Sequence, residues 1–84
     1  MANGRIAVVT GAAGGIGQSV VARLVADGFH VAAVDINEGA MDALIAKSST
    51  SVTPYLCDQT DEAATIAVVN KIESDLGPIH ALVN

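Results

Sequence analysis

The chain has 84 residues, 51% of them hydrophobic, with four basic side chains against nine acidic ones and a formal net charge of −5. A chain this short makes at most one domain and buries only roughly 60% of the surface its unfolded form exposes. With one Tyr, one Phe and no Trp, the core falls to Ala, Val, Ile and Leu, which suits a buried parallel sheet. The acidic balance and a pI near 4.5 argue against nucleic acid or an anionic membrane as partner. No apolar run reaches the ~20 residues that span a bilayer, and the N-terminal stretch turns into Thr10-Gly11 before it could form a signal-peptide core. The single cysteine, Cys57, has no second Cys for a disulfide or a shared metal and reads as a small buried residue. A soluble cytoplasmic protein without a metal site is expected.

Strand-like and helix-like stretches alternate, with no linker, low-complexity tract or repeat between them. Arg5 to Val9 reads as the first strand. After a run of glycines, Ile16, Val20 and Leu24 form one ridge of a helix and Val21 and Val25 the next, and Gly28 ends it. His30 to Val34 is the second strand. Asn37 can cap a short helix carrying Ala40, Met41, Leu44 and Ile45, with Lys47 suited to its C-terminal end. Val52 to Cys57 is the third strand, and Pro54 within it marks an edge, because a proline has no ladder donor.

Thr60 can cap the third helix, Asp61 and Glu62 favour its positive end, and Ile66, Val69, Ile72 and Leu76 form its stripe. Gly77-Pro78 stops it, and Ile79 to Val83 is the fourth strand with no turn after it. The order βαβαβαβ with right-handed crossovers predicts a parallel α/β sheet. If the fourth strand returns beside the first, the strand order is 3-2-1-4, and ligands bind at the carboxyl ends near the switch between strands one and four. Residues 1–84 then read as the N-terminal part of a dinucleotide-binding, Rossmann-like domain, itself incomplete.

The segment Thr10-Gly11-Ala12-Ala13-Gly14-Gly15-Ile16-Gly17 lies between strand and helix, where backbone amides can hold a pyrophosphate. Gly11 permits the tight turn, Gly15 lets the backbone approach the phosphates, and Gly17 lets the helix pack close to the sheet. The amides near Gly15 and Ile16 are the expected donors. Asp35 closes the second strand, where a carboxylate can accept both adenosine ribose hydroxyls; it can also cap the following helix, and the two roles can coexist. Asp58 sits at the corresponding end of the third strand, either within reach of an adenine edge or as a solvated turn residue. Ile36 is apolar and suited to lie against adenine. His30 and His80 stand at the opposite end of the strands and read as surface or packing residues.

These residues, with Cys57-Asp58 and Leu82-Val83-Asn84, resemble the N-terminal part of a short-chain dehydrogenase/reductase over all 84 positions. The resemblance implies that the TGxxxGIG loop holds pyrophosphate, Asp35 the ribose and Asp58 the adenine, and that Asn84 is the first Asn of an Asn-Asn-Ala-Gly motif beside the cofactor. The glycines also satisfy TGxxGxxG through Gly11, Gly14 and Gly17, the spacing of the nucleotide-sugar epimerase and dehydratase branch. The fourth strand separates the two, since Ala81-Leu82-Val83-Asn84 resembles the reductases.

The family's catalytic Ser and Tyr-x-x-x-Lys pair have no counterpart here, so no catalytic residue is assigned. Tyr55 is no substitute: it lies mid-strand, and no lysine follows four residues on. The implied activity is NAD-dependent hydride transfer to or from a secondary alcohol or carbonyl by the complete chain, expected as a homo-oligomer. A dinucleotide-binding module without catalysis is the rival reading.

Overall fold

The computed structural model describes residues 5–48 and 50–84. The chain runs β1 (Ile6–Thr10), α1 (Gly15–Ala26), β2 (His30–Asp35), α2 (Glu38–Ala46), β3 (Val52–Leu56), α3 (Glu62–Leu76), β4 (Ile79–Val83). All pairings are parallel and the sheet order is β3-β2-β1-β4, as the element order and the edge proline predict. At the start of the β1 and β2 ladder the backbone N–H of His30 donates to the Arg5 carbonyl, and at the end of the β2 and β3 ladder that of Cys57 donates to the Asp35 carbonyl. Strand bounds therefore differ from the expected ones by a residue at β1, at the end of β2 and at the end of β3.

Strand alternation divides the core into two layers. Val9, Val31, Ala33 and Val52 face α1 and α2, where Val21, Met41 and Leu44 close over them. Ile6, Val8, Ala32, Val34 and Tyr55 face the other way, against Ile72 of α3. The central strand β2 is buried on both faces, which explains its unbroken apolar run from Val31 to Val34. Pro54 sits on β3 with its nitrogen turned away from β2: the flanking bonds to Ser51 and from Cys57 point the odd-numbered residues of β3 inward, so no ladder bond is lost.

Helix ends follow local chemistry, with two departures from expectation. α1 closes in a Schellman motif at Gly28, φ +93°, whose N–H bonds the Val25 carbonyl while that of Phe29 bonds Leu24. Asn37 caps α2 through the Ala40 amide at 2.9 Å. The cap of α3 is Asp61, accepting from Ala64 at 3.0 Å, and not Thr60, whose amide and hydroxyl instead donate to Asp58 two residues earlier. The stripe of α3 also begins elsewhere: Ala64, Val68 and Leu76 pack beside Ile72, whereas Ile66 is 57% exposed. Ile16, on the first turn of α1, is likewise outside the core, 85% exposed.

At the end of the sheet opposite the glycine loop, His30 Nε2 meets Thr53 Oγ1 at 2.7 Å. His80 Nδ1 accepts the Ile6 N–H at 3.2 Å, where the β1 and β4 register shifts between Ile6 and Ala7. Both histidines are structural partners at the sheet's lower rim. Cys57 is buried, as expected of a lone small residue without a second cysteine.

Candidate dinucleotide site at the carboxyl edge of the sheet

Sheet order places the ends of β3, β2, β1 and β4 side by side, so Asp58, Asp35, the glycine loop and Asn84 follow one another along a single edge. The loop leaves β1 through Gly11 at φ +67°, a left-handed conformation that suits glycine. Its next amides are all occupied: Ala12 N–H donates to the Val34 carbonyl at 3.2 Å and Gly14 N–H to the Gly11 carbonyl at 3.1 Å, while Ala13 N–H donates to Asp35 Oδ2 at 3.0 Å. The following three, those of Gly15, Ile16 and Gly17, meet no acceptor among the described residues: first-turn amides have no partner within their own helix, and the N-cap Gly14 has no side chain to take one of them. α2 and α3 are each capped by a side chain; α1 presents three open donors at its positive end.

The glycines that flank these donors have separate reasons. A Cβ at Gly15 would meet nothing within 4 Å, so the space where a side chain would stand beside this amide is open. A Cβ at Gly17 would collide with the Gly11 carbonyl and lie 2.8 Å from Ala12 Cα and 2.9 Å from Gly11 C. Gly17 thus lets the helix approach its own loop, a closer partner than the sheet that the sequence suggests. A Cβ at Gly14 would make only ordinary contact with the Gly11 carbonyl, 3.5 Å away.

Asp35 is half-buried at the end of β2. Besides the Ala13 amide it accepts the Asn37 N–H on Oδ1 at 3.0 Å, so it anchors both the loop and the approach to α2. The helix cap itself belongs to Asn37. Ile36 follows, 64% exposed. Asp58 is exposed, and its Oδ1 accepts from the Thr60 amide at 2.9 Å and hydroxyl at 2.6 Å; the hydroxyl bond first, then the amide bond, lowers its pKa below the ordinary carboxylate value. Across the switch point, Thr10 Oγ1 lies 3.3 Å from the Val83 carbonyl and 3.2 Å from Asn84 Oδ1, clasping the ends of β1 and β4. Tyr55 is remote from this edge in role: its ring is buried against the α3 layer and its hydroxyl donates to Asp75 at 3.0 Å.

Three residues of this edge escape sequence reading as site residues. Gln18 Nε2 donates to the Ala13 carbonyl at 2.8 Å, Lys47 Nζ donates to Gln18 Oε1 at 2.7 Å, and Thr10 holds Asn84. No periodicity or motif spacing marks Gln18 or Lys47, and the motif that contains Thr10 does not point to its contact with Asn84, since each acts by reaching a neighbour brought close only by the fold.

A family model described as short chain dehydrogenase matches residues 5–84. The chain belongs to this family. Among its relatives, 2,3-dihydro-2,3-dihydroxybenzoate dehydrogenase of Bacillus subtilis is 37% identical over 84 residues, covering 96% of this chain and 32% of the relative. D-threitol dehydrogenase of Mycolicibacterium smegmatis is 34% identical over 85 residues, covering 98% and 33%. The crystal structure of an NAD+-bound xylitol dehydrogenase superposes with a TM-score of 0.89 at 34% identity, over 96% of this chain and 32% of that one. A 3-ketoacyl-(acyl-carrier-protein) reductase from Brucella melitensis, complexed with NADH, shares the fold with a TM-score of 0.87 at 24% identity, over 98% and 34%. This short chain dehydrogenase sequence therefore spans about a third of the length of the relatives it matches. Among the described residues no helix is long and apolar enough to cross a membrane, and no cluster of His, Cys, Asp or Glu could hold a metal.

Proposed function

We propose that residues 1–84 form the N-terminal part of a dinucleotide-binding domain that holds NAD for a hydride transfer to or from a secondary alcohol or carbonyl. The observation that carries this reading is the row of three open amides at Gly15, Ile16 and Gly17 beside the Asp35 carboxylate. Pyrophosphate oxygens fit the amides, and Gly15 leaves them room. Asp35 would take the adenosine ribose hydroxyls with its remaining lone pairs, since an ionised carboxylate accepts about four hydrogen bonds and two are used here. Ile36 would lie against the adenine face, Asp58 beside its edge, and Asn84 near the nicotinamide half. NAD supplies the hydride acceptor when bound; the chain's own groups bind and orient it.

Support comes also from relatives named as dehydrogenases and from a solved neighbour that carries NAD+. Calorimetric titration with NAD tests the site, with one molecule bound per chain as the expected result. Absence of binding by either NAD or NADP overturns the reading. NAD binding without turnover of any secondary alcohol by the native protein favours a binding module instead.

A further inference from the structure

The backbone of Ala13 is clamped on both sides by side chains: its N–H, in the peptide with Ala12, by Asp35 at 3.0 Å and its carbonyl, in the peptide with Gly14, by Gln18 at 2.8 Å. Gln18 is itself held, because Lys47 donates to its Oε1 at 2.7 Å. An ammonium only donates and a carbonyl only accepts, so these two partners permit a single orientation of the Gln18 amide. The loop needs such a hold. Gly11, Gly14 and Gly15 leave its backbone with more freedom than any other sequence would, and α1 has no side-chain cap to fix its first turn.

We propose that Gln18, oriented by Lys47, is a positioning residue that fixes the Ala13 peptide and so aims the amides of Gly15, Ile16 and Gly17 before a dinucleotide arrives. The gain is pre-organisation: a loop already ordered loses less entropy on binding. Gln18 need not touch the ligand. The inference rests on the reading of the loop as a pyrophosphate site, and the experiment separates the two.

Binding of NAD and, by competition, of adenosine is measured in the native protein and its variants. Gln18→Ala weakens NAD about three- to tenfold, the worth of one hydrogen bond's ordering, and leaves adenosine within about twofold, because adenosine uses the Asp35 side and has no pyrophosphate. Gln18→Glu keeps a partner for Lys47 but turns an oxygen toward the Ala13 carbonyl; it weakens NAD at least as much while the melting temperature holds. Lys47→Met gives a smaller loss alone and none beyond that of Gln18→Ala in the double variant. Unchanged NAD affinity in Gln18→Ala and Gln18→Glu overturns the inference, as does an equal loss for NAD and adenosine. Failure of the unaltered protein to bind NAD removes the underlying reading as well, which the variants alone would not do.

Discussion

Asp35 Oδ2 accepts the Ala13 N–H at 3.0 Å, so the residue that ends β2 also sets the conformation of the loop that follows β1. The carboxylate proposed for the ribose and the loop proposed for the phosphates are thereby one unit. Loss of the carboxylate then removes ribose acceptors and slackens the loop together.

Asp35→Ala is expected to weaken NAD about tenfold or more, since hydrogen bonds to a charged group contribute roughly 1.5–3 kcal/mol each. The unaltered protein should prefer NAD to NADP, because a ribose phosphate would meet the Asp35 charge. No basic side chain relieves that repulsion. Arg23 pairs with Asp27 at the far end of α1, Arg5 lies 4.5 Å over the Phe29 ring, Lys71 pairs with Asp75, and Lys47 is on Gln18. Kinetics with both cofactors in the native enzyme check this: Asp35→Ala should narrow the gap, and equal efficiency with NADP before substitution would show the role of Asp35 to be misassigned.

Gly15 and Gly17 are expected to respond oppositely to alanine. Gly17→Ala forces a methyl into the backbone of Gly11 and Ala12, which cannot yield cheaply, and costs roughly 1–3 kcal/mol of stability. Gly15→Ala meets open space within a helix, where replacing glycine adds about 0.4–1 kcal/mol of stability, yet places a methyl before the open amides. Thermal melts with and without NAD distinguish them: a lower melting point for Gly17→Ala, an equal or higher one for Gly15→Ala with the shift on adding NAD lost. A full NAD-induced shift in Gly15→Ala would contradict the site.

The sheet order, the edge position of β3 and the division of helices between faces were legible because alternation, glycine and proline positions and crossover handedness constrain them strongly. The placement of Asp35, Asp58 and Asn84 along one edge follows from that order. Less legible were contacts decided by single side chains at element ends. Thr60 looks like a cap, but the helix starts one residue later: Asp61 accepts the Ala64 N–H, while Thr60 donates back to the Asp58 carboxylate in the turn before it. Ile66 fits a helical spacing, yet Ala64 and Val68 have the direction that meets the sheet. Gln18 and Lys47 stand far apart in sequence, and only packing of α1 beside the end of α2 makes them a pair.

Tyr55 should titrate well above an ordinary tyrosine. Burial first, then the hydrogen bond to Asp75 and the charge of that carboxylate, push it from 10.0 up to about 12. The folded state therefore holds the phenolic proton more tightly than the unfolded chain does, and the resulting stability is complete below pH 10 and is lost as pH rises through about 12. As the only tyrosine, with no Trp present, Tyr55 gives an uncluttered ultraviolet titration. Asp75→Asn should move the midpoint part of the way back toward 10.0, burial accounting for the remainder; an unchanged midpoint would remove Asp75 from the cause.

Expressed alone, residues 1–84 are expected to self-associate. α1 and α2 cover one face of the sheet and α3 covers part of the other, while Ile16 at 85%, Ile66 at 57% and Leu82 at 62% exposure leave large apolar side chains in water. The two sheet edges differ. On β3 the nitrogens of Val52, Pro54 and Leu56 point outward, and the middle one, that of Pro54, donates nothing, so strand addition there is discouraged. On β4 the run Ile79 to Val83 has no proline, lysine, arginine or carboxylate, and as the edge strand its outer backbone groups face no strand among the described residues. Association through this edge therefore dominates, and a proline or lysine at Leu82 should suppress it. Sedimentation at rising concentration, comparing the unaltered segment with Leu82→Lys, measures the effect: a compact monomer at high concentration in the unaltered segment would overturn the expectation, and equal association in both would move it from β4 to the exposed faces.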